Sequence, residues 1–503
     1  MKLGALLSGL PGLELGAQRD LEISALAYDS RRVVLGTLFF AIQGEKADGH
    51  QYVSQALEQG ATAIVSELKP PAGLAPRWIQ VSKIRRALSH AGHNFYHQPD
   101  SRLKLVGITG TNGKTTTAFL IESILRAAGI PSGLFGTIEY RLGDRTVTAG
   151  NTTPESLDLL TYFDELLKGG AKAAVMEVSS HALAQERVWE FQFAAAVFTN
   201  LTQDHLDYHK DFESYFAAKR RLFEGLGTNP PALAVINAND PWGGRLLGMK
   251  FARLLTFGMN SNAEVKVGQF AQSASGIQAT MVIPGGTIEI KSPLLGRANM
   301  MNILAATATA IGLEVDTKPI QAGIASLECV PGRFERVVAG QPFLVLVDYA
   351  HTDDALRNVL KTARELTRNR LIVVFGCGGD RDRAKRPLMG EVAGTLSDLA
   401  VLTSDNPRSE DPLRIMSDAM VGLQKSGRPY LAEEDREKAI RTALERAHEG
   451  DVVVLAGKGH ETYQILKDRT IPFDDHEVAR RMLREMGYRG NGKNGKTANR
   501  VPR

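Results

Sequence analysis

The run Leu103-Lys104-Leu105-Val106-Gly107-Ile108 leads into Thr109-Gly110-Thr111-Asn112-Gly113-Lys114-Thr115-Thr116-Thr117 and a helical stretch reaching Ala128. A short apolar run reads as a buried strand, the glycines as a tight turn, and the segment to Ala128 as a helix. Strand, glycine turn and helix in that order open a parallel sheet with crossover helices. In such a turn the backbone N–H groups of Gly110, Thr111, Asn112 and Gly113 can close around phosphate oxygens, and the helix N-terminus adds positive potential. Lys114 then reaches the outer phosphates, and Thr115 or Thr116 can hold Mg²⁺. The stretch reads as a nucleoside-triphosphate site. Its spacing is a variant of G-x-x-x-x-G-K-[ST], because Ile108 stands where the first glycine would fall.

Outward from this loop, strand-like and helical runs alternate through most of the 503 residues, which makes the chain α/β. At about 100–200 residues per domain the length corresponds to three domains. Polar turns at Gln98-Pro99-Asp100 and Val330-Pro331-Gly332-Arg333 divide it into residues 1–98, 99–332 and 333–488. Residues 489–503 carry Arg489, Lys493, Lys496, Arg500 and Arg503 with no acid, and read as a disordered basic tail.

That tail accounts for the net charge of +4, so the body is near neutral and the basic balance gives no reason to expect a nucleic acid partner. Cys329 and Cys377 are too few for a disulfide scaffold and fit a reducing cytoplasm. No apolar run approaches the ~18 residues of a membrane span. Ser8-Gly9-Leu10-Pro11 interrupts the apolar start, against a secretory signal. A cytoplasmic monomer acting on small molecules is expected.

Several segments carry candidate chemistry. Glu177 ends the strand-like Lys172–Met176 and can ligate Mg²⁺ directly or through water; a capping or surface acid is the competing reading. Asp204-His205-Leu206-Asp207-Tyr208-His209 crowds potential ligands together, yet no Glu follows His205, so the zinc-protease pattern is absent. Lys219 reads from composition as a surface lysine on a basic helix face. Asp405-Asn406-Pro407-Arg408 follows the strand Leu399–Thr403, at the end where open α/β sheets place ligands, although a plain Asp-Asn-Pro turn would look the same. Gly376-Cys377-Gly378-Gly379 invites a dinucleotide reading, but Arg381 occupies the last glycine's place.

Thr109-Gly110-Thr111-Asn112-Gly113-Lys114-Thr115 resembles the phosphate-loop signature of the Mur ligase family, which builds the peptide of bacterial cell-wall precursors; folate-polyglutamate ligases carry a similar loop. Asn151-Thr152-Thr153-Pro154, Met176 to His181, Asp204 to His209, Gly296-Arg297-Ala298-Asn299, Val347 to Thr352 and Gly457-Lys458-Gly459-His460-Glu461 follow in the family's order. The resemblance implies an N-terminal UDP-binding domain, a central ATPase domain with a mostly parallel sheet and a C-terminal Rossmann-like domain. It implies the member that uses ATP and Mg²⁺ to extend UDP-N-acetylmuramoyl-L-Ala-D-Glu by a third amino acid. By the same resemblance Asn299, Arg333 and Asp348 complete the nucleotide site. The resemblance implies catalytic roles for Lys114, Lys219 and His205. It also implies that Lys219 is carbamylated and joins Thr115, Glu177 and His205 around the metal.

Tyr28, Ser30, Glu45, Lys46 and Ala47 are implied at the uridine, although Glu45-Lys46 stand where the family often has His-Gln. Asn151, Thr152, Thr153, Ser179, Gln185 and Arg187 are implied at the sugar and peptide. Asp405-Asn406-Pro407-Arg408 marks the enzymes that add meso-diaminopimelate, with Arg381, Gly457 and Glu461 completing the pocket. An Arg fork can grip the distal carboxylate that lysine lacks. A lysine-adding homologue, a folate-polyglutamate ligase and a nucleotide switch that makes no bond are the rival readings.

Overall fold

The computed structural model describes residues 1–44, 47–259 and 262–489. Glu45, Lys46 and the basic tail from residue 490 onward lie outside the described residues.

Three large sheets follow one another along the chain, and a two-stranded antiparallel ribbon, Tyr463–Ile465 with Thr470–Pro472, follows the last of them. The first pairs β1 (Ala25–Ala27), β2 (Thr37–Phe40), β3 (Ala61–Ser66) and β4 (Trp78–Gln80) in sequence order, all parallel. Ile84–Tyr96 is the amphipathic helix that follows it, with Ile84, Ala87, Leu88 and Ala91 buried at helical spacing.

The second sheet contains β5 (Lys104–Thr109), β6 (Ser132–Phe135), β7 (Glu139–Leu142), β8 (Arg145–Thr148), β9 (Ala173–Glu177), β10 (Ala195–Phe198), β11 (Leu233–Asn237) and β12 (Arg253–Gly258). Its far edge adds β13 (Val265–Ser273), β14 (Gly276–Ile283) and β15 (Gly286–Ser292). The order is β15-β14-β13-β12-β11-β10-β5-β9-β6-β7-β8. The core of the sheet is parallel, while β6-β7-β8 and β13-β14-β15 run antiparallel at the two edges. β5 lies between β10 and β9, so the chain reverses direction across the sheet at its carboxyl end. Such a switch point leaves a crevice for ligands. The helix Lys114–Ala127 that starts there is buried around most of its circumference and packs against Arg297–Gly312 and Thr317–Ser326.

The third sheet orders β16 (Glu335–Arg336), β17 (Leu344–Asp348), β18 (Leu371–Phe375), β19 (Leu399–Leu402), β20 (Tyr430–Ala432) and β21 (Val452–Ala456) as β16-β17-β21-β18-β19-β20. β17 to β21 are parallel, and β18 and β21 are buried at every position, as expected of strands covered on both faces. Behind β21, Arg436 donates from Nε to Asp475 Oδ1 at 2.8 Å and from Nη2 to Asp475 Oδ2 at 2.6 Å. Nη2 also donates to the Ala456 carbonyl at 3.0 Å, and both side chains are fully buried. Arg436→Met, which strands the Asp475 carboxylate, is expected to destabilise the protein by about 3–5 kcal/mol in chemical denaturation. Replacing both partners by apolar residues should cost less.

Candidate active site

The carboxyl ends of the second and third sheets face one cavity of about 1100 Å³. From the second sheet come Thr111 to Thr116, Glu177, Ser179, His181, Asp204 and His205. From the third come Asp348, Arg381, Lys385, Asp405, Asn406, Arg408, Gly457 and Glu461. Asn299 and Arg333 also line it.

The phosphate loop is held from beneath. Asn200 accepts from the Thr111 and Asn112 backbones through its carbonyl and side-chain oxygen, both at 2.9 Å. Gly113 has a left-handed backbone (φ +85°) and presses on the Asn302 side chain, leaving no room for a Cβ. The amides of Lys114, Thr115 and Thr116 stand in the first helical turn, where no preceding carbonyl exists to accept from them. Lys114 Nζ donates to the carbonyls of Gly110 (2.8 Å) and Thr111 (2.9 Å). Asn299 Nδ2 donates to the Leu295 carbonyl at 2.8 Å, and its Oδ1 accepts from Asn302 at 3.1 Å.

Lys219 is 1% exposed, and its Nζ donates to the same Gly110 carbonyl at 2.8 Å, 4.4 Å from the centre of the Tyr215 ring. Burial, and then the neighbouring Lys114 cation, drive its pKa well below the ordinary lysine value against the opposing pull of Asp204. Burial also lowers Lys114, with Arg333 adding to the shift and Glu177 and Asp204 resisting it. Two buried amines thus share one carbonyl, and burial disfavours charge on each.

Glu177 is 1% exposed and accepts on Oε2 from the Thr115 hydroxyl (3.0 Å) and on Oε1 from the Thr137 amide (2.8 Å). The Thr137 and Thr152 hydroxyls lie 3.1 Å apart. Among the described residues, no group of three or more His, Cys, Asp or Glu is arranged as a metal site. The Thr115 and Glu177 oxygens nevertheless fit Mg²⁺, which typically takes one or two protein oxygens and completes its shell with phosphate and water.

His205, left-handed at φ +53°, lies 4.8 Å from His181 between ring centroids. Burial, with His181, Lys114 and Lys219 nearby, pushes its pKa down to about 4 against Asp204, so the imidazole is neutral at physiological pH. Burial disfavours charge on Asp204, but His205, His351 and Lys385 outweigh it and hold the carboxyl below its usual range. Lys385 reaches Asp204 from the third domain at 3.7 Å. Arg333 Nη2 donates to Thr115 Oγ1 at 3.4 Å, and its guanidinium lies 4.8 Å from the Tyr349 ring centre. Asp348 accepts from the amides of Phe334 and Ala350 (2.8 and 2.9 Å); burial raises its pKa.

At the other end of the cavity, Arg408 Nη1 donates to the Gly379 carbonyl at 2.7 Å. Asn406 Nδ2 donates to Glu461 Oε2 at 2.8 Å, and Pro407 accepts from the Glu410 amide at 3.1 Å. Asp405 is 7% exposed, and its Oδ2 has no hydrogen-bond partner among the described residues. Gly457 (φ +118°) lies against it, so that a Cβ there would sit 2.5 Å from that oxygen. Arg381 is exposed on the cavity rim.

Several of the residues implied at the peptide bond to one another, while those implied at the uridine make separate contacts. The Tyr28 hydroxyl donates to Asp158, and Ser30 donates to Gln55 at 3.1 Å. The Ala47 carbonyl accepts from the Gly44 amide at 2.9 Å. Thr153 donates to the Glu177 carbonyl (2.9 Å) and accepts from the Ser179 amide (3.0 Å). Arg187 donates to Gln185 Oε1 (2.8 Å) and the Thr153 carbonyl (3.0 Å), and pairs with Glu155 at 3.2 Å. Asn151 is exposed, its carbonyl accepting from Tyr140 at 2.5 Å. Thr152 and Ser179 face the cavity; Tyr28, Ser30, Ala47, Asn151, Thr153, Gln185 and Arg187 are not among its lining residues.

In the sequence Asp204 reads only as one of a crowded set of potential ligands, and Tyr349, His351 and Lys458 stand inside quoted motifs without an assigned role, whereas Lys385 has no local signal.

Three family models match the chain: "Mur ligase family, catalytic domain" over residues 22–96, "Mur ligase middle domain" over 108–310 and "Mur ligase, glutamate ligase domain" over 332–459. The chain belongs to the Mur ligase family. A relative from Solibacter usitatus, named UDP-N-acetylmuramoyl-L-alanyl-D-glutamate–2,6-diaminopimelate ligase, is 54% identical, covering 97% of this chain and 99% of its own. A relative of the same name from Geobacter metallireducens is 47% identical, covering 95% and 98%. A solved structure of a ligase of that name aligns with a TM-score of 0.68 at 32% identity, covering 97% and 99%. Folylpolyglutamate synthase from Mycobacterium tuberculosis, 18% identical with a TM-score of 0.59 and covering 75% and 92%, shares the fold. No helix among the described residues is long and apolar enough to cross a membrane.

Proposed function

We propose that this chain joins meso-2,6-diaminopimelate to UDP-N-acetylmuramoyl-L-alanyl-D-glutamate in the cytoplasm with ATP, a step in making peptidoglycan precursors. One observation carries the reading. The phosphate loop and the pocket formed by Asp405, Asn406, Arg408 and Glu461 open into one cavity, and within it Asp405 Oδ2 is buried without a donor. A buried polar atom without a partner is costly unless a ligand completes it, and an ammonium group does so. An Arg fork beside it suits a carboxylate. The distal carbon of meso-diaminopimelate carries both groups.

In this reading the γ-carboxylate of the D-Glu residue attacks the ATP γ-phosphorus and ADP leaves, giving an acyl phosphate. The amine of diaminopimelate attacks the acyl carbon, forms the amide and expels phosphate, with a proton leaving the nitrogen. Lys114 and the first-turn amides stabilise charge on the transferring phosphoryl group. Thr115 and Glu177 would hold Mg²⁺, with His205 as a neutral neighbour; bound there, the ion neutralises phosphate charge. Lys219, kept from carrying charge, is suited to add CO₂ through its nitrogen with loss of a proton. The resulting carbamate would place an anion beside Lys114 and an oxygen ligand beside the metal. Arg333 and Asp348 border the nucleotide, and Tyr28, Ser30, Ala47, Thr153, Ser179, Gln185 and Arg187 hold the UDP-dipeptide.

Phosphate release separates this from a nucleotide switch. The enzyme is expected to release phosphate at a sustained rate only when ATP, the UDP-dipeptide and diaminopimelate are all present, with equimolar tripeptide by mass spectrometry. Equal ATP turnover with both acceptors omitted would overturn the proposal.

A further inference from the structure

Lys458 is fully buried between Gly457 and Gly459, both left-handed, whose backbones turn it away from solvent. Its Nζ donates to Asn406 Oδ1 at 3.2 Å and pairs with Glu461 Oε2 at 3.4 Å, 5.8 Å from the centre of the Tyr463 ring. Asn406 Oδ1 accepts a second hydrogen bond from the Ile465 amide at 2.9 Å. With its oxygen so occupied, the Asn406 amide nitrogen faces Glu461 Oε2, to which it donates at 2.8 Å. The orientations of Asn406 and Glu461 are therefore set together, and the group common to both is the Lys458 ammonium.

Lys458 itself is not among the residues lining the cavity, whereas Asn406 and Glu461 are. We infer that Lys458 is a positioning residue of the amino-acid pocket, acting through Asn406 and Glu461 to hold their polar atoms ready for the diamino acid. The inference rests on the proposed function. A buried cation held to two pocket side chains restricts the rotamers of both, because turning either away would leave the cation unpaired.

The test uses the full-length enzyme with the diamino acid varied at saturating ATP and UDP-dipeptide. Lys458→Met is expected to raise KM for diaminopimelate by about 10- to 100-fold, as befits loss of hydrogen bonds to a charged group. The kcat should change by no more than about three-fold, and KM for ATP should stay as in the parent, because the phosphate loop lies on the other sheet. Lys458→Gln, which retains a donor for Asn406 but no charge for Glu461, should fall between them and carries the test if the methionine variant does not fold. In the Glu461→Gln background the Lys458→Met penalty should shrink, because one of the two groups that Lys458 orders is already altered. An unchanged KM for diaminopimelate in a folded variant, a fall in kcat alone, or penalties that simply multiply would each overturn the inference. Failure of the parent enzyme to make tripeptide would instead overturn the proposed function.

Discussion

Lys114→Ala is expected to lower tripeptide formation by about 10²- to 10³-fold, the scale seen when one preorganised donor to developing charge is removed. The loss should appear in kcat as well as kcat/KM, because the ammonium interacts most strongly when charge builds on the transferring phosphoryl group. A second effect follows from the geometry. Lys219 shares the Gly110 carbonyl with Lys114, and the Lys114 cation is one of the influences that disfavours charge on Lys219. Without it the Lys219 amine should hold its proton more tightly and react less readily with CO₂, compounding the defect. Quench-flow detection of phosphate and tripeptide, with far-ultraviolet circular dichroism to confirm folding, measures this. A folded Lys114→Ala enzyme retaining full ligation would remove the phosphate loop from the mechanism.

Arg408→Ala should lower kcat/KM for diaminopimelate by about 10²- to 10³-fold, as expected for truncating one side of a desolvated ionic contact. It should also narrow the preference for diaminopimelate over lysine. Arg408 has a left-handed backbone (φ +52°), which is unfavourable for a side chain of its size. Its amide donates to the Ile465 carbonyl at 3.1 Å, and one guanidinium nitrogen is engaged by the Gly379 carbonyl. These contacts anchor both the backbone and the guanidinium of a residue that lines the cavity. Competition between diaminopimelate, lysine and glutamate in a single reaction reads out the preference. Parent enzyme that incorporated lysine as readily as diaminopimelate would show that Arg408 does not select the substrate.

The loop's form was legible because all its parts are contiguous; the strand and the end of the helix lie within one residue of the apolar pattern, although the helix already begins at Lys114, inside the stretch read as the loop. The antiparallel edges β6-β7-β8 and β13-β14-β15 were less so, since a mostly parallel sheet was expected. Turn residues at Ser273-Ala274-Ser275-Gly276 and Pro284-Gly285-Gly286 were the available hairpin cues. Lys219 was misjudged by composition, which made it a surface lysine. The helix Phe212–Glu224 buries Tyr215, Phe216, Ala218, Leu222 and Phe223, and Lys219 falls on that same face, four residues after Tyr215 and three before Leu222. The periodicity was present but outweighed by residue type. Lys458 and Lys385 were illegible for a different reason. Lys458 has one near partner, Glu461, but Asn406 and, for Lys385, Asp204 are distant in the chain, and no local pattern encodes which side chains such distant segments will bring together.

The join between the second and third domains contains a group that touches the nucleotide loop. Gly332 turns at φ +66° with its amide on Glu335 Oε2, and the next residue, Arg333, reaches back to Thr115. The residue that follows this turn between the two domains thus also contacts the phosphate loop. Arg333 to Thr115 and Lys385 to Asp204 both bridge the two domains beside that loop, so a fluorophore pair placed across them tests whether filling the loop changes their spacing.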